Sequence, residues 1–141
     1  MISKILVPVD GSENSFRALD QALFIAKSSG AAITAIHVIE RPPTVYVESQ
    51  KLLDELLANY RKESGKILDK SQEIAARSGT KLETAIMEGD PASNINGFAE
   101  KGGFDLIVIG SRGLGRLKSA ILGSTSNKVL HHAKCSVLIT R

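Results

Sequence analysis

Short apolar runs alternate along this chain with stretches in which hydrophobic residues recur every third or fourth position. The run Lys4 to Val9 (KILVPV) ends in Asp10-Gly11-Ser12, the pattern of a buried strand entering a turn. Phe16, Leu19, Leu23 and Ala26 then keep helical spacing, with Ser12 placed to cap the helix and Gly30 to stop it. Ala32 to Ile39 (AITAIHVI) predicts a second strand, broken by Arg41-Pro42-Pro43-Thr44 because neither proline can donate to a ladder. From about Ser49 to Ser78 a stripe of Leu53, Leu56, Leu57, Tyr60, Ile67, Leu68, Ile74 and Ala75 predicts one long helix with charged residues opposite.

The alternation continues to the end of the chain. Lys81 to Met87 is extended, and Glu88-Gly89-Asp90-Pro91 closes it with Asp90 as cap and Pro91 at the first position of a helix running to about Lys101. Asp105 to Ile109 (DLIVI) is the most apolar strand and leads straight into Gly110-Ser111-Arg112-Gly113. A fourth helix is expected to begin near Gly123 to Thr125 and to bury Val129 and Leu130, followed by a last strand, Ser136 to Thr140. Five strands alternating with four helices call for an α/β fold, a doubly wound parallel sheet with helices on both faces and right-handed crossovers. In such sheets ligands lie beyond the carboxyl ends of the strands, where the winding reverses.

Composition narrows the function classes. The 141 residues fit one domain, 1–141, and 43% hydrophobic with 23% charged residues is enough to bury a core without disulfides or metals. The single cysteine, Cys135, has no internal partner, and no segment reads as a secretory leader, so a reducing, cytoplasmic location is expected. No apolar stretch approaches the roughly 18 residues of a membrane span. A net charge of +3 with Lys and Arg scattered among acids, and only four Phe and two Tyr, argue against nucleic acid as a partner.

Candidate chemistry concentrates between Gly110 and Ser126. Gly110 and Gly113 allow close backbone approach and positive φ, so that successive amides can turn toward an anion. Ser124, Thr125 and Ser126 sit at an expected helix start, where free amides and the positive dipole end favour phosphate. Arg112, Arg116 and Lys118 lie between the two halves. Read from these residues alone, the segment is either a phosphate clamp or an ordinary glycine-rich loop. It is not a P-loop, and Gly113-Leu114-Gly115 lacks the third glycine of a dinucleotide fingerprint.

The spacing Gly-x2-Gly-x9-Gly-Ser, complete at Gly110, Gly113, Gly123 and Ser124, resembles the ATP motif of the universal stress protein family. The resemblance extends to Lys4–Ser12 (KILVPVDGS), Ile36–Ile39, Glu88–Pro91, Asp105–Gly110 and Cys135–Thr140, and so covers the whole chain. It implies strand order 3-2-1-4-5, with the reversal between strands one and four. It further implies ATP with its adenine near the Val38 backbone, Val9 and Ile109, and with Pro8 and Asp10 lining the site. Gly110, Ser111, Arg112, Gly113, Gly123, Ser124, Thr125 and Ser126 then surround ribose and phosphates. A homodimer through strand 136–140 is implied as well, in keeping with a terminal strand that has no charge or proline before Arg141. An accompanying Mg2+ is expected from the polyphosphate charge alone.

Other residues carry less. Asp10 is read either as orienting a metal or the nucleotide, or as shaping its turn with Gly11 and Ser12. His37, in a strand expected to be buried, reads as a satisfied core histidine. His131, His132 and Cys135 lack the geometry and the fourth ligand of a zinc site. The leading expectation is a nucleotide-dependent switch or interaction module in which ATP sets the loops Arg41–Ser49 and Gly113–Leu122. A slow ATPase or phosphate-transferring enzyme on the same site is the alternative, held back because only Asp10 could position a water. Neither an ATP pyrophosphatase loop, Ser-Gly-Gly-x-Asp-Ser, nor the paired acids of a response-regulator receiver is present.

Overall fold

The computed structural model describes residues 1–41, 49–112 and 122–141. Five parallel strands, β1 (Lys4–Pro8), β2 (Ala32–Ile39), β3 (Leu82–Glu88), β4 (Leu106–Gly110) and β5 (Ser136–Thr140), form one sheet in the order β3-β2-β1-β4-β5. Helices α1 (Glu13–Ser29), α2 (Gln50–Arg77), α3 (Pro91–Gly102) and α4 (Ser124–His132) connect them. Lys4 to Pro8 of β1 pair with Ala32 to Ile36 of β2, while Ile5 and Leu6 pair on the other side with Leu106 and Ile107 of β4. The expected strand order and winding are therefore those of the folded chain.

Burial on both faces explains why the central strands read as continuous apolar runs. Ile5 and Val7 point into a core with Leu19, Leu23, Ile33 and Val108 beneath α1 and α2. Their neighbour Leu6 points the other way, into a core with Ile36, Ile95, Ile107 and Val129 beneath α3 and α4. Local chemistry sets the helix ends as the sequence indicates. Ser12 Oγ accepts from the Ser15 N–H at 3.2 Å, Asp90 Oδ2 from the Ser93 N–H at 2.9 Å, and Gly30 ends α1 at φ 75°.

Two expectations fail. Leu130 is 42% exposed, because α4 turns only Ser126 and Val129 fully inward and Leu130 lies a further 100° around the helix. In α2 the buried positions are Ser64, Leu68, Ser71 and Ala75, whereas Leu53, Leu56 and Leu57 are only half-buried and Leu52 and Tyr60 are exposed. A 28-residue helix is about 42 Å long and a seven- or eight-residue strand about 25 Å, so the first half of α2 overhangs the sheet. The two buried serines satisfy themselves by donating to carbonyls one turn back, Ser64 to Tyr60 at 2.8 Å and Ser71 to Ile67 at 2.9 Å. Their small size lets α2 approach the sheet.

Two contacts fix the sheet's central strands relative to their surroundings. At the amino edge, Asp105 Oδ2 accepts from the Ser3 N–H (2.8 Å), the Ser3 hydroxyl (2.7 Å) and the Lys4 N–H (2.9 Å), tying the entry of β4 to that of β1. At the carboxyl edge, β4 ends in Gly110, where a Cβ would lie 3.0 Å from both the carbonyl carbon and the oxygen of Asn14 in the first turn of α1.

Gly110→Ala is accordingly expected to push α1 off β4 and cost about 1–3 kcal/mol, read as a lower denaturant midpoint with an unchanged slope. The hydrogen bonds donated by Ser3, with that of the Lys4 N–H, hold the Asp105 carboxyl below its ordinary value. A depressed folded-state pKa contributes stability above the unfolded-state value, near 3.9, and that contribution is lost as pH falls through the folded-state one. The melting-temperature gap between wild type and Asp105→Asn is thus expected to be widest above about pH 5 and to narrow on acidification, measured by thermal melts across that range.

Candidate functional site

Where β1 and β4 leave the sheet, their connections go to opposite faces, α1 to one and α4 to the other, and a cavity of about 380 Å3 opens above them. That volume lies in the range of small-molecule sites. β1 and its exit contribute Pro8, Val9 and Asp10 to the lining, β2 contributes Ile36, His37 and Val38, with Glu40 just beyond, and β4 contributes Ile109 and Gly110, followed by Arg112. Ser15 of α1 and Pro91 and Ile95 of α3 complete the walls, and residues 123–126 close the far end.

That far end has the donors an anion needs. Gly123 precedes α4 with φ −62° and ψ 161°, and no side chain caps the helix, so the amides of its first turn face outward beside the Ser124 and Thr125 side chains. Gly123 and Ser126 are both held by one carbonyl. Ser111 O accepts from the Gly123 N–H at 2.7 Å and from the Ser126 hydroxyl at 2.9 Å, while the Ser111 N–H donates to Thr140 O at 2.7 Å. Both serines are buried, so these bonds are worth more than exposed ones would be, and breaking them leaves polar groups stranded.

Eleven of the residues singled out by sequence line this cavity: Pro8, Val9, Asp10, Val38, Ile109, Gly110, Arg112, Gly123, Ser124, Thr125 and Ser126. Ser111 does not; it is turned inward as the anchor just described. Gly113, Arg116, Lys118 and most of the loops 41–49 and 113–122 lie outside the described residues. Gly110 has no positive φ, contrary to expectation, and neither does Gly123. Gly110 is required instead by the close approach of the α1 backbone.

Asp10 combines its two sequence readings. Its Oδ1 accepts from the Ser12 N–H at 2.9 Å and the Ser12 hydroxyl at 2.5 Å, shaping the turn, and the residue also borders the cavity. His37 departs from its expected place: it is half-buried on the cavity wall, with Nδ1 2.7 Å from Val9 O. Sequence reasoning missed Ser15, Ile36, Glu40, Pro91 and Ile95 as lining residues. Only Pro91 carried a local signal, as the first residue of a helix starting at this edge of the sheet. His131 and His132 are exposed on α4, and burial pushes the half-buried Cys135 thiol up, which keeps it protonated and a poor nucleophile. Among the described residues, no three His, Cys, Asp or Glu side chains gather as a metal site, and no helix is long and apolar enough to cross a membrane.

Comparison with known proteins places these features in a family. The profile of the universal stress protein family matches residues 1–141. Universal stress protein YxiE of Bacillus subtilis is 40% identical over 149 aligned positions that span all of both chains. The solved structure of universal stress protein UspA from Lactobacillus plantarum superposes with a TM-score of 0.90 at 31% identity, covering 99% of this chain and 98% of that one. A universal stress protein solved in complex with cAMP is 26% identical, with a TM-score of 0.72 over 99% of this chain and 97% of that one. With the family profile spanning its whole length and a relative 40% identical over all of both chains, this chain belongs to the universal stress protein family.

Proposed function

We propose that this protein binds ATP, with Mg2+ carried on the phosphates, in the cavity above β1 and β4, as one nucleotide-binding domain spanning 1–141. The observation that carries this reading is the uncapped start of α4 facing the cavity, where the amides and hydroxyls of Ser124 and Thr125 meet the positive end of the helix dipole. The opposite, apolar part of the cavity, between Val9, Val38, Ile95 and Ile109, suits a flat base. A relative solved with cAMP supports a nucleotide as the ligand class. Gly110, Arg112, Gly113 and Ser126 complete the proposed phosphate side, with Ser111 acting from behind as the anchor of residues 123–126, and Pro8 and Asp10 the ribose side. With no metal-ligating cluster among the described residues, Mg2+ would arrive with the phosphates.

Binding without efficient turnover is the form of this function that the geometry favours. The acids bordering the cavity are Asp10 and Glu40, and the Asp10 carboxylate is already engaged by Ser12, which leaves it poorly placed to orient a water. Occupancy would then act as a switch, through a difference in affinity between two states of the surface around the site. The working unit in this reading is a cytoplasmic homodimer joined through β5, an edge strand that among the described residues pairs only with β4 and that carries Leu138 at 38% exposure.

Titrating nucleotide-stripped protein with magnesium ATP by calorimetry is expected to give micromolar binding without steady phosphate release. Steady release would assign a hydrolase instead, and an absence of binding would overturn the reading. Ser124→Glu places an anion where the phosphates would lie and is expected to weaken ATP at least about tenfold. It should leave the melting temperature equal or slightly higher, because an acid in the first turn stabilises a helix by about 0.3–1 kcal/mol. For the dimer, sedimentation is expected to give twice the 15.1 kDa chain mass for wild type and the single mass for Leu138→Asp. A monomeric wild type would refute the pairing.

A further inference from the structure

Charge is divided unevenly along this chain. Residues 106–141 carry six Lys and Arg and no Asp or Glu, so the other twelve cations and all fifteen acids fall in residues 1–105. The net charge is therefore +6 over the last part and −3 over the rest. The fold keeps the two apart, because residues 106–141 hold β4, α4 and β5, and β4 and β5 lie together at one side of the sheet order. Arg112 lines the cavity and Lys128, Lys134 and Arg141 are exposed, while Arg116 and Lys118 lie outside the described residues.

The cavity straddles this division. Its acids, Asp10 and Glu40, follow β1 and β2, and its α4 end has Arg112 and the first-turn amides. Lys128 stands beside that end without lining it, four residues after Ser124 and so about 6 Å along α4. Its charge is also felt at the start of α3. There the N–H and hydroxyl of Ser93 hold the Asp90 carboxyl below its ordinary value, the Lys128 ammonium lowers it further, and the next residue, Pro91, is part of the cavity wall. A cleft that is basic on one side and acidic on the other draws in a polyanion and also turns it. We infer that the acid-free part of the chain is an electrostatic guide, with Lys128 at the cavity mouth, that captures the nucleotide and turns its phosphates toward α4. The inference rests on the nucleotide reading above and adds to it a residue that sets the rate of arrival. Its long-range pull already acts on the ligand in the encounter complex, so arriving and bound nucleotide feel it alike and dissociation is unaffected.

Stopped-flow fluorescence of the full chain with ribose-labelled magnesium ATP separates association from dissociation. Lys128→Glu changes the local charge by two units about 10 Å from the arriving phosphates. Association is expected to slow about threefold at 0.1 M salt and about sevenfold at 0.01 M, with dissociation unchanged. Lys128→Gln should give about half of each effect on a logarithmic scale. Lys81→Glu makes the same change in net charge just before β3, at the far end of a seven-residue strand, and should leave association within about 1.2-fold at 0.1 M salt. Equal slowing by Lys81→Glu overturns the inference, because net charge alone would then act. So does a Lys128→Glu protein whose association is unchanged, or whose loss appears in dissociation, the mark of a residue that holds the ligand. In each of these cases ATP still binds and the nucleotide reading stands, whereas a wild type that binds no ATP overturns both. A measurement on wild type alone removes dependence on the variants' folding: association should slow at least about threefold between 0.01 M and 0.1 M salt, and a rate indifferent to salt is equally fatal.

Discussion

A parallel sheet buries its strands on both faces, and in this chain that requirement is most stringent for β1 and β4, whose residues Ile5, Leu6, Val7, Ile107 and Val108 are all inaccessible to solvent. Helices must lie above and below them, and each crossover must be right-handed, so the connections from these two neighbouring strands leave to opposite sides. The crevice between those connections is thus a consequence of covering the core. The residues that β1, β2 and β4 contribute to its lining are held by strands that cannot move without exposing apolar surface, which gives the crevice a rigid floor.

The roof of the crevice is held differently. Its described part hangs on the carbonyl of Ser111, which receives the Gly123 N–H and the Ser126 hydroxyl, while the Ser111 N–H extends the β4–β5 ladder to Thr140. A residue immediately after a buried strand thereby anchors the start of a helix 13 positions later. Because Ser111 and Ser126 are both buried, their bond is close to all-or-none: leaving it unmade strands a desolvated donor and acceptor. Gly110 adds a steric condition, since only a residue without Cβ lets α1 pass so near the end of β4.

Polarity within the crevice follows from these constraints. The start of α4 cannot bond its own first amides, so that end donates. At the β2 end the lining includes His37, with Nδ1 2.7 Å from Val9 O, and Glu40. The anionic end of a ligand is therefore best met at the start of α4. The acids Asp10 and Glu40 border the same space and oppose an anion there.

Local signals in the sequence determined the elements, their order and most of their ends, because periodicity, caps and breakers act within three or four residues. Ser12, Gly30, Asp90 and Pro91 are read the same way in the chain and in the fold. The spacing of Gly110, Gly123 and Ser124 pointed to the end of the sheet at which the cavity opens. Tertiary structure alone decided which neighbours face one another. Val9 meets His37 from 28 positions away, Gly110 meets Asn14 from the far side of the sheet, Ile95 enters the cavity wall from α3, and the first half of α2 outruns the strands it was patterned to cover. None of these leaves a periodic trace, because each depends on where a strand ends relative to another, and that distance is set by packing and not by the residues on either side.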